Sequence, residues 1–154
     1  MNIFIFDLDV YKNAKMYCDK HCSKMILETA QLLCSPFETG TAPYKRTHYN
    51  HPCAIWLRES QANFNYLLKL GLALSEEFEY RRGKKHKSQE VIQWCRENNH
   101  FLMLPDVPMT PFAQAMPEQY KSKNHVVGAY RNYFNGEKRH LFSWTKRPTP
   151  SWVN

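Results

Sequence analysis

The chain has 154 residues, 43% hydrophobic and 14% aromatic, which fits one compact domain and excludes a disordered or low-complexity protein. Only five glycines are present, so Gly-rich phosphate loops and a turn-dense all-β fold are excluded as well. Lys and Arg number 21 against 14 Asp and Glu, a net +7 that points to a polyanionic partner.

Asn2 to Phe6 is a short apolar run, read as a lone strand or an extended arm packed on the body. Asp9 is the expected N-cap of a long helix reaching about Leu33, with Cys18, Cys22, Met25, Ile26, Thr29, Leu32 and Leu33 on its apolar face. Ser35-Pro36 ends it, and residues 36–53 form a long loop rich in Pro, Thr, His and Tyr. A second helix is predicted from about Ala54 to Arg82, closed by Gly83. Ser88 caps a third helix through Asn98. Residues 99–123 carry four prolines and are expected to be irregular but packed, burying Phe101, Leu102, Leu104 and Phe112. A last helix spans about Asn124 to Phe134, and an extended tail follows from Lys146. The fold class is therefore mostly α, with three to four helices, long irregular loops and a short N-terminal arm in a single domain, 1–154.

Charge is unevenly placed. Residues 1–42 hold four Lys and five acids, 43–88 nine basic and four acidic residues, and 89–154 eight and five. The start Met1-Asn2-Ile3-Phe4-Ile5-Phe6-Asp7 lacks the cationic region of a signal peptide, and no apolar run reaches the length of a membrane span. The five cysteines then read as free thiols in a reducing cytoplasm. No CxxC or HExxH spacing appears, and neither metal nor cofactor is expected.

Three groups of residues carry candidate chemistry. On the second helix Glu59, Asn63 and Glu77 project on or beside a stripe of Trp56, Leu67, Leu70, Leu74 and Phe78. A carboxylate against an apolar wall is either paired or tuned for acid–base work. Both Glu59 and Glu77 have a structural alternative, an ion pair with Arg81, Arg131 or Lys24. On the first helix Tyr17, His21, Lys24 and Glu28 follow at steps of four, three and four, so they share a face that offers a base, an amine and an orienting acid. The plainer alternative there is a solvated face with a Lys24–Glu28 pair. His48, Asn50 and His51 precede the second helix, and Arg81, Arg82, Lys84 and Lys85 surround its end, where they suit phosphate contacts. Trp144, Lys146 and Arg147 belong to a basic–aromatic C-terminal third that suits unstacked bases.

The stretch Tyr49-Asn50-His51-Pro52, with a long helix ending Glu77-Phe78-Glu79-Tyr80-Arg81-Arg82-Gly83 and a late Arg147-Pro148 and Trp152, resembles the endonuclease V-like pyrimidine-dimer DNA glycosylases of phages and bacteria. The segments Cys18 to His21, Asn50 to Pro52, Arg58 to Ser60 and Ala115 to Pro117 are similar to those of a set of phage-encoded proteins of no assigned chemistry. The first resemblance implies a small helical base-excision enzyme that attacks with the α-amine exposed by Met removal and uses a Glu of its first helix. Here Asn2 is bulky for such removal, and Asp19, His21 and Cys22 occupy the region of that Glu.

The leading expectation is a DNA N-glycosylase, with or without lyase activity, acting on a flipped pyrimidine in a pocket between the first two helices. Glu59, His21, Lys24 and Asn63 would supply the chemistry. His48, Asn50, His51, Arg81, Arg82, Lys84, Lys85, Trp144, Lys146 and Arg147 would hold DNA. The alternatives are a phage transferase that modifies a hypermodified base, and a non-catalytic phage protein that binds nucleic acid or a host protein. A monomer or weak dimer without membrane contact, inside a phage-infected bacterium, completes the expectation.

Overall fold

The computed structural model describes all residues, Met1–Asn154. It holds six α-helices and no strand: α1 Val10–Met16, α2 Asp19–Cys34, α3 Pro52–Arg58, α4 Gln61–Arg82, α5 Gln89–Asn98 and α6 Val126–Glu137. The mostly α, single-domain reading holds, with two more helices than expected because each of the two long predicted helices is broken once. No helix is long and apolar enough to cross a membrane.

The first break falls at Tyr17-Cys18, both extended, with ψ of 129° and 161°. Apolar periodicity continues across it, so the sequence pattern does not mark it. The cause is tertiary. The Tyr17 hydroxyl turns into the core, donating to the Phe4 carbonyl at 2.8 Å and accepting from the Phe4 N–H at 3.1 Å. Carbonyls freed by the break find donors elsewhere, as buried backbone must. Arg81 donates to the Lys15 and Tyr17 carbonyls, and the Trp144 indole donates to that of Met16.

The second break falls at Glu59-Ser60. Ser60 is extended and caps α4, its hydroxyl accepting from the Asn63 N–H at 3.0 Å. Gly83 closes α4 in the left-handed region at φ 71°, as expected.

α2 and α4 run antiparallel in close contact, Cys22 lying by Leu74 and Thr29 by Gly71. A Cβ on Gly71 would stand 2.9 Å from Thr29 Cγ2 and 3.0 Å from Ile92 Cδ1, so only glycine lets α2, α4 and α5 meet there. The N-terminal arm is extended and unpaired with any strand, yet Ile3, Phe4, Ile5 and Phe6 are buried. Side chains take the place of a partner strand: Asn13 bonds the Phe6 N–H and the Phe4 carbonyl, and Arg131 donates to the Phe6 carbonyl. Phe134 of α6 packs edge-on against Phe4 and Phe6, and Trp152 of the tail stacks on Phe6.

Residues 99–123 are irregular apart from short 3₁₀ turns at Asn99–Phe101 and Glu118–Tyr120. Phe112 packs against Trp56 and Tyr66 as expected. Phe101, however, is 70% exposed, a correction to its expected burial, because the turn ending at Phe101 leaves its ring outside the body.

Candidate functional site

The buried arm carries Met1 to the side of α2. Asn2 anchors it, donating to the Ala115 carbonyl at 2.7 Å and accepting from the Tyr130 hydroxyl at 2.9 Å. The Met1 amine thereby stands 2.9 Å from Glu28 Oε1, while Lys24 Nζ lies 3.9 Å from Oε2. The Glu28 side chain is only 13% exposed, and Lys24 is exposed. His51 caps α3, its Nδ1 accepting from the Cys53 N–H at 3.1 Å. Burial, then the neighbouring Met1 ammonium and His48, hold His51 below the usual histidine range, so it is neutral at pH 7. Burial pushes the Cys53 thiol up to about 12, against a smaller opposing pull from the backbone and the same ammonium. One carboxylate, two amines and a neutral imidazole are thus gathered in one place.

Lys24, Leu27, Glu28 and Gln31 follow at steps of three, one and three residues, so they lie on one face of α2. Against that face the loop contributes Tyr44, Lys45 and Thr47, which with Leu27 and Gln31 line an open groove of about 410 Å³. The loop continues from Thr47 through His48, held in the left-handed region at φ 50°, Tyr49 and Asn50, all exposed. Arg46 and Arg58 stack on Tyr49 at 4.5 and 3.6 Å from its centroid, fixing this rim.

The expected pocket of Glu59, Asn63 and His21 is not formed. His21 is in the core, edge-on to Phe4 and Phe134, with Nδ1 3.3 Å from Cys18 Sγ. Burial, followed by Lys138, Lys24 and Lys20, lowers its pKa to about 4, so it stays neutral. Asn63 is fully buried and spent on structure, donating to the Trp56 carbonyl and Thr110 Oγ1 and accepting from the Thr110 N–H. Glu59 is exposed at the end of α3 and accepts a short hydrogen bond from the Thr110 hydroxyl. Glu59 and Asn63 thus meet on the Thr110 hydroxyl, while His21 lies apart from them against Phe4 and Phe134. Tyr17 leaves the Lys24–Glu28 stripe because the chain is extended at Tyr17-Cys18.

The expected DNA-holding residues divide. Arg82, Lys84 and Lys85 are exposed at the end of α4, and His48 and Asn50 are exposed on the rim. Arg81 is not available: it is buried, bonded to Glu77, Asp19 and two carbonyls of the α1–α2 junction. Arg147 holds Glu77 through two hydrogen bonds and covers the Tyr80 ring. Trp144 is half-buried, its indole N–H taken by the Met16 carbonyl. Lys146 is exposed, with φ 60° and Nζ on the Tyr80 carbonyl. The expectation that Trp144 and Arg147 stand free thus fails, because the α1–α2 break and the buried Glu77 both require donors.

What the sequence did not mark is the partner of Glu28. Spacing along α2 places Lys24 beside it, but no local signal links Glu28 to Met1. No three His, Cys, Asp or Glu side chains converge as a metal-ligand set. Compared with known proteins, the chain matches no protein-family model, no curated protein and no solved structure.

Proposed function

We propose that the protein is a DNA-acting enzyme that cleaves the N-glycosidic bond of a pyrimidine nucleotide drawn out of the strand. The observation that carries this reading is the Met1 amine at 2.9 Å from the largely buried Glu28, with Lys24 on the carboxylate's other oxygen. Glycosidic cleavage by an amine needs such a pair. Glu28 takes a proton from the ammonium; the freed amine attacks C1′ as the base leaves with the bonding electrons, and Glu28 passes that proton to the departing base. The sugar then opens to a Schiff base. Water returns the amine and leaves an abasic site, or Glu28 removes a C2′ proton and the strand breaks. The groove beside the pair and the exposed cations at the end of α4 fit a DNA substrate. The resemblance to pyrimidine-dimer glycosylases calls for the same two groups, and Glu28 supplies the carboxylate that Asp19 and His21 do not.

The test is incubation with DNA carrying uracil, pyrimidine dimers or hypermodified pyrimidines, with and without borohydride. Expected is a reduced covalent adduct, which peptide mapping assigns to Met1 or Lys24, together with abasic product. Absence of both on every substrate overturns the proposal. Nucleosides that gain mass without base loss favour a transferase instead.

A further inference from the structure

A second cavity lies away from Glu28. It measures about 420 Å³ and is lined by Lys12, Lys15 and Met16 of α1 and by Arg147, Pro148, Thr149, Pro150 and Ser151 of the tail. That volume is within the range of small-ligand sites, about 300–1,000 Å³. Its walls are apolar, from Met16, two proline rings and the lysine stems, while its charges are cationic. Arg147 is matched by Glu77, but neither Lys12 nor Lys15 has a carboxylate within ion-pair distance. No side-chain hydrogen bond engages the Thr149 or Ser151 hydroxyl, although nearly every polar group around the neighbouring Glu77 is spoken for. Unspent cations and hydroxyls at the mouth of an apolar hollow call for a ligand with a flat apolar body and a compact anion.

From this we infer that the α1–tail cavity binds one nucleotide unit, its base against Met16, Pro148 and Pro150 and its phosphate on Lys12 and Lys15. The two sources of such a unit, a free mononucleotide and a nucleotide within a strand, share this chemistry. The site does not depend on the chemistry at Glu28, and binding is read without turnover, so either proposal can fail alone.

The experiment titrates the ¹⁵N-labelled protein with thymidine 5′-monophosphate, thymidine, inorganic phosphate and a short oligothymidylate. Expected is saturable binding of the monophosphate or the oligonucleotide, with shifts at Lys12, Lys15, Thr149 and Ser151. Thymidine or phosphate alone should bind about tenfold more weakly or worse. Lys12→Ala with Lys15→Ala, both at exposed positions, should lower affinity about tenfold or more while circular dichroism is unchanged. Binding of the oligonucleotide without the monophosphate assigns the unit to a strand; the reverse assigns a free nucleotide. The inference is overturned by no saturable binding of either, by shifts confined to other residues, by phosphate matching the monophosphate, or by full affinity in the double variant.

Discussion

Arg147 holds Glu77 with both arms of the guanidinium, Nε to Oε1 at 2.8 Å and the second nitrogen to Oε2 at 3.0 Å. Arg81, one turn along α4, donates to the same Oε1 at 3.0 Å and reaches Asp19 at 3.1 Å. Asp19 in turn accepts from Ser143 and Thr145. One network therefore pins the tail, the α1–α2 break and the middle of the bundle together. Glu77→Gln leaves two arginines facing a neutral amide, one of them almost wholly buried, and should cost about 3–5 kcal/mol. Arg147→Gln removes the more exposed partner and should cost less, about 1–3 kcal/mol. Urea unfolding of the two variants checks the order, and limited proteolysis should show the tail loosened in both, since each breaks the Arg147–Glu77 pair.

Stability should fall with acid in two stages. Burial alone would raise Glu77, but hydrogen bonds from Arg147 and Arg81 outweigh it and hold its carboxyl below the ordinary 4.5. Burial also opposes Asp19, and the Thr145 and Ser143 hydrogen bonds hold it below 3.8. A carboxylate depressed in the folded state contributes fully above its unfolded pKa and loses that contribution as pH falls through the folded one, so this stage lies below about pH 4.5. His21 acts earlier. Its folded pKa of about 4 lies under the ordinary 6.5, so the unfolded chain takes the proton first and stability declines from 6.5 down to 4. His21→Gln should flatten that upper stage, leaving a smaller slope from His51 and His86, both lowered by burial. Imidazole NMR should show His21 neutral until pH nears 4.

Gly71→Ala tests the closest helix contact. Alanine raises helix propensity by about 1 kcal/mol, so an exposed site would be stabilised. Here the added methyl meets Thr29 at 2.9 Å, and a β-branched side chain in a helix has little freedom to move away. Overpacking should win, with a net loss of about 1–3 kcal/mol in thermal or urea unfolding. A more stable variant would mean that α2 and α5 can separate cheaply.

Periodicity carried the fold a long way: the buried arm, the Gly83 stop and the helix after Ser88 follow from apolar spacing and a glycine C-cap, although Ser88 spends its hydroxyl on Tyr44 and does not cap that helix. Periodicity fails at Tyr17, where the apolar stripe continues without interruption, and at Ser60, where polar Ser60 and Asn63 read equally as stripe positions of one straight helix. What bends the chain there is a distant acceptor, Phe4 for the tyrosine, and a cap that is also a good core position for the serine. The same limit governed the site. Tyr17, His21, Lys24 and Glu28 are correctly spaced for one straight helix, and the break removes the first while burial neutralises the second. The Glu28–Met1 pair spans two elements joined only by tertiary packing, so no local pattern announces it.

Glu28 and Glu59 separate the two ways of placing the chemistry. Glu59 ends α3, is exposed, and bonds the Thr110 hydroxyl, a contact that the carbonyl of a glutamine can keep. Glu59→Gln should therefore leave stability and base release within about twofold of the parent, as surface changes usually do. Glu28→Gln keeps the shape of the side chain but can neither take a proton from the Met1 amine nor balance its charge. Base release should fall by about a hundredfold or more, the usual scale for a lost acid–base group. Borohydride trapping should fall with it, while circular dichroism stays as in the parent. Full activity in Glu28→Gln together with loss in Glu59→Gln would move the reaction away from α2 to the junction of α3 and α4.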